Sequence, residues 1–487
     1  MGFWNCKRFV GAALAVLALS MIATAQVSGN RPDFAHDRVL VKLSANFLAR
    51  SPAAAASEPD IGVSISSLRL LNPSRETSNV TALARASANG RHNNIYVLTL
   101  KETGEEAVKN ALERLNANPA VEIAEPVFYR RLLRTPNDPM FDLQYALDRL
   151  NAQQAWEITT GSRDIIVGII DTGIDGAHPD LVDNLWINPN PNQNGYVNDI
   201  HGYNFADRMG GIPTDNMSSH GTHVAGIIGA RGDNGVGITG INWTVSLAWL
   251  GVTEKDSPNS EMSTDRVIEA INYATIHGMH VLNNSYGGAG SSQLELETIR
   301  NFPGVFVAAA GNESSNNDFT LSYPANYDSP NVISVASTDA RDMLSNFSNY
   351  GVSVHIAAPG GRILSTVRDG EYHEFSGTSM ATPYVAGVAA LVMAARPNYT
   401  PAQVREILLA SMSRVPALDG FGFGIVDAHA AVTGSLDNLY SITYNFGYDG
   451  RGPVVRQTIS GMEPVASMPP IREGYAFAGC HTSRTGG

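Results

Sequence analysis

The chain has 487 residues, 43% of them hydrophobic, and a formal net charge of −13 at pH 7. Residues 1–135 contain 16 Lys/Arg and 11 Asp/Glu, a charge of +5, whereas the remainder contains 17 and 35, a charge of −18. A main body so acidic argues against nucleic acid as a partner, and the opposite signs are compatible either with an electrostatic contact between the two parts or with solubility alone.

The first 25 residues have the composition of a secretory signal peptide. Two basic residues precede an apolar run at 9–22, and Ala-Thr-Ala follows at 23–25. The run is shorter than the roughly 20 residues that a membrane-spanning helix needs, and we expect no transmembrane segment elsewhere. Removal of this segment takes Cys6 with it, so that only Cys480 remains and no internal disulfide can form. We therefore expect a protein that is secreted, either extracellular or associated with the cell surface.

Residues 26–134 have the pattern of a small, separate α+β domain. The segments 38–43 and 95–100 alternate as half-buried strands do, and residues 105–116 place alanine and leucine at helical spacing. The stretches 51–58 and 72–91 are rich in Ala, Ser and Asn and predict loops.

From residue 135 to about 434, short apolar strands alternate with helices. This alternation predicts an α/β fold with a mainly parallel sheet and helices on both faces. We expect strands at 165–170, 281–285, 305–310 and 332–336, and helices at 265–277, 293–301 and 380–395. Thr400, Pro401 and Gln403 have the spacing of a capping box at the start of one more helix.

Three short motifs place reactive side chains at the ends of these elements. Asp171, in IIDTGID, follows a buried strand, where open α/β sheets have their sites. His220 opens the helical segment HGTHVAG, and Ser379, in GTSMATP, stands at a helix start among N–H groups that stabilise an oxyanion. Ser379 alone is compatible with an ordinary N-cap. A serine nucleophile, however, needs a base and a group that orients the base, which His220 and Asp171 supply.

In this order, DTGID, HGTHVAG and GTSMATP resemble the subtilisin-like (subtilase) serine peptidases. The α/β-hydrolases run Ser, Asp, His and carry G-x-S-x-G, which the Ser379 context does not match. The resemblance covers residues 136 to about 432. It implies a subtilisin-like three-layer fold and a secreted serine endopeptidase that cleaves protein or peptide substrates through an acyl-enzyme.

The resemblance also gives the first part of the chain a role. A subtilase propeptide assists folding and inhibits the enzyme until it is cleaved. By its position the segment 26–134 resembles such a propeptide, an intramolecular partner of the peptidase domain at 135–434. We expect autoprocessing within residues 129–136.

Substrate contacts follow from the same resemblance. Asn312, in AAGN, is expected to donate its amide to the oxyanion, with the N–H of Ser379 as second donor. An edge strand is expected to pair with the extended substrate, and the first side-chain pocket is expected to have Ser322 at its floor and to prefer apolar or aromatic side chains. The residues expected to contact substrate are Ser285, Tyr286, Gly287, Ala309, Ala310, Gly311 and Ser322.

A structural calcium ion is a further implication. Asp138, Asp180 and Asn234, with carbonyl groups of the loop 231–240, resemble the strong calcium site of several subtilases, and oxygen ligands suit that ion. The same three segments, NDP, HPD and DNG, are also good turn formers, so ordinary turns are the alternative.

The tail at 437–487 resembles one partial Listeria-Bacteroides type repeat, a β-rich module of surface proteins. Cys480 stands where that family usually has tryptophan. Attachment to a surface and a plain spacer are both compatible with this segment.

Two other functions use the same features. An adhesion or binding protein on an inactive peptidase scaffold is disfavoured, because no catalytic position is substituted. An esterase or acyl transferase shares the acyl-enzyme step, since a fold does not fix the substrate. Hydrolysis of casein against turnover of an ester distinguishes these possibilities.

Overall fold

The computed structural model describes residues 34–43, 63, 64, 66, 95–129, 134–216, 218–254 and 261–436, and the backbone of 65, 67–70, 76–77, 439–445 and 454–460. The predicted signal peptide, residues 130–133 of the predicted cleavage region and Cys480 lie outside these residues. The chain divides into two compact units, Met1–Leu132 and Leu133–Gly487.

The first unit contains an antiparallel sheet of five strands in the order β3-β2-β4-β1-β5. The strands are β1 (Phe34–Leu43), β2 (Ile65–Leu70), β3 (Glu76–Thr77), β4 (Ile95–Leu100) and β5 (Val121–Phe128). Helix α1 (Glu105–Asn116) buries Val108 and Leu115 in the same core as Val39 of β1. The strand predicted at 95–100 and the helix predicted at 105–116 are confirmed.

Two predictions for this unit need correction. The loop predicted at 72–91 contains β3, which pairs with β2, a strand that the sequence pattern did not reveal. The first strand begins at Phe34 rather than at residue 38, because Phe34 pairs with Phe128 beyond a register shift in β1. In both places the strand forms because it pairs with a residue on another strand. The alternation of polar and apolar residues within one segment does not predict such pairing.

The second unit is built on a seven-stranded parallel sheet in the order β12-β11-β10-β9-β6-β8-β7. The strands are β6 (Gly161–Asp171), β7 (Gly202–Asn204), β8 (Thr244–Gly251), β9 (Val281–Asn284), β10 (Val305–Ala309), β11 (Val332–Thr338) and β12 (Ile356–Pro359). Two antiparallel hairpins follow, β13 (Ile363–Val367) with β14 (Glu371–Phe375) and β15 (Leu439–Asn445) with β16 (Val454–Ser460). The predicted parallel sheet is confirmed.

Helices cover both faces of this sheet, which makes three layers. They are α2 (Tyr145–Arg149), α3 (Ala152–Trp156), α4 (His220–Gly229), α5 (Thr264–Ile276), α6 (Gln293–Asn301), α7 (Thr378–Ala395), α8 (Pro401–Ala410) and α9 (Ala428–Thr433). One apolar core joins α4, α7, α8 and α9 to the sheet, and a second core joins α5 and α6 to its other face. Successive side chains of β6 point to opposite faces of the sheet. Ile169 therefore packs in the first core and Ile170 in the second.

Helix starts agree with their local chemistry. At α8, the Thr400 hydroxyl accepts the N–H of Gln403 and the Gln403 side chain accepts the N–H of Thr400, so the predicted capping box is confirmed.

Among the described residues, α7 is the one helix long and apolar enough to cross a membrane, and 83% of it is buried inside the protein. It is therefore the central core helix of this unit.

Candidate active site

The predicted site residues gather at the carboxyl ends of neighbouring strands. The order of the sheet reverses at β6, whose neighbours are β9 and β8. Asp171 is the last residue of β6, Ser285 follows β9, and Asn312 follows the end of β10. Parallel α/β sheets form crevices at such switch points, which explains why residues far apart in the chain converge here.

Asp171 and His220 form a hydrogen-bonded pair. The His220 Nδ1–H donates to Asp171 Oδ1 at 2.7 Å, and the same oxygen accepts the N–H of Thr172 at 2.7 Å. The Asp171 side chain is fully buried, whereas that of His220 is 26% exposed. Because an ionised carboxylate only accepts, the proton of the neutral ring lies on Nδ1, and Nε2 is left as the basic nitrogen.

The electrostatics of His220 reflect two neighbouring carboxylates. Burial disfavours the imidazolium, but the charge and the hydrogen bond of Asp171 and the charge of Asp215 outweigh burial and raise the pKa of His220 above its ordinary value. The positive charge that a general base acquires is therefore stabilised where it forms.

Ser379 is the second residue of α7 and is linked to Ser285 by two hydrogen bonds. The Ser379 hydroxyl donates to the carbonyl of Ser285 at 3.0 Å, and the Ser285 hydroxyl donates to the carbonyl of Ser379 at 2.9 Å. The Ser379 carbonyl needs a donor from outside the helix. The residue that would normally donate to it, four positions later, is Pro383, which has no N–H. The hydroxyl proton of Ser379 thus points to the β9 end rather than to His220; catalytic hydrogen bonds often tighten only with substrate bound.

The Asn312 amide has one orientation. Its Oδ1 accepts the N–H of Thr378 at 2.8 Å and the Thr378 hydroxyl at 3.0 Å. A backbone N–H can only donate, so the atom facing it is the oxygen, and Nδ2 faces the other way. A Cβ placed on Gly377 would lie 3.6 Å from the nitrogen of Ser379 and 3.8 Å from Asn312 Nδ2. The two expected oxyanion donors therefore border the same space.

The substrate-contacting residues predicted from the sequence also lie together. Gly288, one residue past Ser285–Gly287, forms an antiparallel bridge with Tyr323, next to Ser322. A Cβ on Gly287 would lie 3.0 Å from the Ser322 hydroxyl and 4.0 Å from the carbonyl of Ala309. Ser285, Ala309, Ala310 and Ser322 are buried, Tyr286 and Gly311 are half-buried and Gly287 is exposed. The structure therefore brings Gly287, Ser322 and Ala309 close together.

The three residues predicted as calcium ligands meet beside the loop 231–240. Asp180 accepts Asn234 Nδ2 at 2.9 Å, Tyr372 Oη at 2.8 Å and the N–H of Ile238 at 3.0 Å. Asp138 Oδ2 accepts the N–H of Asp233 at 2.7 Å. Burial raises the pKa of Asp138 and also that of Asp180.

These residues suit a hard cation in part. Asp138 Oδ1 is buried and has no partner within the described residues, and an unpaired buried carboxylate oxygen is costly without a cation. The Asn234 oxygen, in contrast, accepts the N–H of Val236 at 2.8 Å. No group of three or more His, Cys, Asp or Glu that could hold a metal occurs in the part of the chain that the structure describes. A calcium ion would accordingly rely on the two carboxylates together with amide and carbonyl oxygens.

Three contacts were not predicted from the sequence. Thr378 orients Asn312, Thr172 and Asp215 lie behind the Asp171–His220 pair, and Glu313 accepts Asn349 Nδ2 at 2.8 Å next to Asn312. A lone Asp in the polar loop before HGTH was the available signal for Asp215, but its position behind the pair depends on the tertiary fold.

A histidine hydrogen-bonded to a buried aspartate, together with a serine at a helix start, on a parallel three-layer sheet, is the combination of side chains and fold that serine hydrolases of the subtilisin-like class have. The comparisons with known proteins agree. Residues 162–425 match the subtilase family, and the chain belongs to this family. The matched residues lie in its second unit, which is similar to subtilisin-like serine proteases.

Individual relatives support the same assignment. The chain is 37% identical to "Thermophilic serine proteinase" of Bacillus sp. (strain AK1) over 67% of this chain and 76% of that protein. It is 34% identical to "Halolysin-like extracellular serine protease Nep" of Natrialba magadii over 69% of this chain. A solved protease of Pseudoalteromonas arctica matches with a TM-score of 0.51 and 33% identity, over 61% of this chain and 99% of that chain. The chain spans 59% of the length of the Natrialba protein.

Proposed function

We propose that the protein is a secreted serine endopeptidase in which Ser379 is the nucleophile, His220 the general base and Asp171 the group that orients the base. The observation that carries the proposal is the 2.7 Å hydrogen bond from His220 Nδ1 to a fully buried Asp171. It fixes the tautomer that leaves Nε2 free to accept a proton.

The reaction follows from these positions. His220 Nε2 accepts the Ser379 proton as Oγ attacks the substrate carbonyl, and the imidazolium is stabilised by Asp171. The same proton then passes to the leaving amine, which departs as the acyl-enzyme forms. Water, deprotonated by His220, releases the acyl group in the second half.

Asn312 Nδ2 and the N–H of Ser379 are proposed as the two donors to the oxyanion. Thr378 supports this role, because it occupies Asn312 Oδ1 and leaves the donor end of the amide available. A donor that is held in place before the reaction costs no reorganisation at the transition state.

The substrate is proposed to be a protein or peptide bound in extended form. The edge at Ser285–Gly287 supplies main-chain hydrogen bonds, and the pocket between this edge and Ala309–Gly311 takes the side chain that precedes the scissile bond. The pocket is proposed to prefer apolar or aromatic side chains, and Ser322 at its floor limits the size of the side chain that fits.

Processing and secretion are the next part of the proposal. The compact first unit is proposed to be the propeptide, an intramolecular inhibitor that the enzyme removes within residues 129–136. Relatives named as extracellular proteases support secretion. The boundaries at 25, 134 and 434 remain predictions, as does association with the cell surface.

Calcium is proposed as a structural ion held by Asp138, Asp180 and Asn234. The unpaired buried oxygen of Asp138 supports it. Bound there, the ion would supply positive charge that stabilises the loop 231–240. The surface-repeat resemblance of 437–487 also stays a proposal; the backbone of β15 and β16 forms an antiparallel pair, and the rest lies outside the described residues.

Replacement of the nucleophile tests the proposal. Ser379→Ala should hydrolyse neither casein nor a small ester, with turnover reduced by about a thousandfold or more, and its precursor should stay uncleaved near residue 134. The matched control is Ser376→Ala, since Ser376 lies three residues earlier and its hydroxyl accepts the N–H of Arg362. Casein hydrolysis by purified Ser379→Ala contradicts the mechanism. Ester turnover without casein hydrolysis by the wild type would favour an esterase, and an inactive wild type with a high-affinity surface ligand would favour the adhesion protein.

A further inference from the structure

A second buried carboxylate lies behind the Asp171–His220 pair and belongs to none of the predicted sites. Asp215 is 4% exposed, and each of its oxygens accepts two hydrogen bonds. Oδ1 accepts the Thr172 hydroxyl at 2.6 Å and the N–H of Asn216 at 2.8 Å. Oδ2 accepts the N–H and the hydroxyl of Thr222 at 2.8 and 2.6 Å. Within the described residues it forms no ion pair.

The donors to Asp215 are neighbours of the catalytic residues. Thr172 follows Asp171 directly at the end of β6, and Thr222 lies two residues after His220 in the first turn of α4. The Thr172 hydroxyl also accepts the N–H of Gly221 at 3.0 Å. The carboxylate is thus connected through single hydrogen bonds to the strand that carries Asp171 and to the helix turn that carries His220.

The same contacts complete the start of α4, which has no side-chain cap of its own. Its first four N–H groups need partners from outside the helix. The N–H of the N-cap Ser219 goes to the carbonyl of Asn216, that of His220 to the Ser218 hydroxyl, that of Gly221 to Thr172 and that of Thr222 to Asp215. Two of the four therefore depend on Asp215 or on the hydroxyl that donates to it.

The charge of Asp215 acts on His220 as well. In the part of the chain that the structure describes, the titratable groups next to the ring or its helix turn include Asp171 from β6, Asp215 from the preceding loop, His223 from α4 and Asp175, whose N–H donates to the Thr222 hydroxyl. Burial lowers the pKa of His223 to about 3, so this ring carries no charge in the working range. Burial raises the pKa of Asp215 itself, against the effect of the threonine donors. Its ionised form is a second negative charge behind the imidazolium.

We propose that Asp215 is a positioning residue of the active site: its carboxylate holds the end of β6 and the first turn of α4 at the separation at which Asp171 orients His220. The proposal rests on the proposed triad. A small displacement of the imidazole affects turnover far more than substrate binding, because the proton transfer depends on its position and the substrate cleft lies on other strands.

The test compares kcat, KM and the acidic limb of kcat/KM in mature enzyme made from the full chain, with folding checked by circular dichroism. Asp215→Asn should lower kcat by about tenfold to a hundredfold, leave KM within about twofold, and move the acidic limb of the pH profile to lower pH. Thr172→Val should lower kcat without moving the limb, since both carboxylates remain. Thr172→Ser keeps the hydroxyl and should restore kcat. Asp183→Asn removes an equal charge from an exposed residue that has no contact with this network and should change neither.

A folded Asp215→Asn enzyme with kcat within about twofold of the wild type overturns the proposal, even if the acidic limb of kcat/KM moves. If Asp215→Asn does not fold, Thr172→Val decides, and an unchanged kcat in that variant overturns the proposal as well. Ser379→Ala separates this result from failure of the triad: activity in that variant removes the proposed mechanism, whereas an inactive Ser379→Ala with an unaffected Asp215→Asn removes only the role of Asp215.

Discussion

His223 stacks face to face on Phe375, with ring centroids 4.4 Å apart and an angle of 5° between the planes. Its Nε2–H donates to the carbonyls of Ile363 and His373, each at 3.0 Å, while Nδ1 is buried and has no hydrogen-bond partner among the residues that the structure describes. A ring in this position must stay neutral. Burial lowers its pKa to about 3, and burial likewise lowers the pKa of His355 to about 3.

We therefore expect the protein to lose stability in acid well above pH 3. In the unfolded chain both rings take up a proton below pH 6.5, whereas in the folded protein they do so only near 3. The free energy of unfolding should fall between these values by about 1.4 kcal/mol per pH unit for each ring. Urea unfolding at a series of pH values measures this slope. His223→Gln should reduce the slope by one ring's share; equal slopes in the variant and the wild type would contradict the expectation.

How far the sequence predicts this molecule depends on the range of the interactions. Asp171, His220 and Ser379 were recognisable because each is embedded in a local motif that also forms its strand end or helix start. The helix predicted to begin at Met380 begins at Thr378. Thr378 matters because it orients Asn312, which lies 66 residues earlier in the chain, after the end of β10. Asp215 could not be predicted, since only the fold brings Thr172 and Thr222 to one carboxylate.

The activity should fall in acid at a higher pH than an ordinary histidine would give. His220 must be neutral to accept the proton of Ser379, and its pKa is raised despite burial by Asp171 and Asp215. The acidic limb of kcat/KM should therefore lie above about 6.5. Enzyme held at low pH and returned to pH 8 is the control for unfolding; a limb below pH 6 with full recovery would contradict the assignment.

Asn312→Asp should act on turnover alone. The aspartate keeps an oxygen for Thr378 but places a second oxygen where Nδ2 faces the oxyanion. We expect kcat to fall by about a hundredfold to a thousandfold, the size known for the loss of this donor in subtilisin itself, with KM little changed. Thr378→Ser, which keeps both donors to Asn312, should stay close to the wild type. A rise in KM with an unchanged kcat would mean that Asn312 binds substrate instead.

Ser322→Gly should widen the pocket. The Ser322 hydroxyl lies so close to Gly287 that a Cβ there would approach it to 3.0 Å. Its removal should raise kcat/KM for peptides with tyrosine or phenylalanine before the scissile bond, relative to alanine, by about tenfold. Gly287→Ala should have the opposite effect. A common change for all peptides in Ser322→Gly would show that the residue does not line this pocket.

Removal of calcium should lower thermal stability. An ion that binds only the folded protein stabilises it by about 4 kcal/mol at a thousandfold excess over its dissociation constant. The melting temperature should drop in EDTA and recover with added calcium but not magnesium. Asp138→Asn should abolish this response, and Asp183→Asn, an exposed carboxylate, should retain it. A melting temperature insensitive to EDTA, in protein verified to be free of metal, would remove all three proposed ligands.

The helix that begins at Thr378 is buried over most of its length and contacts β6, β9, β10, β11 and β12. Ser379 is thereby attached to the centre of the sheet, and no loop separates it from the apolar core. Local unfolding near Ser379 is therefore not expected: the residue should keep its position until the apolar core unfolds. Loss of hydrolysis and loss of tertiary structure in increasing denaturant should consequently trace a single cooperative curve.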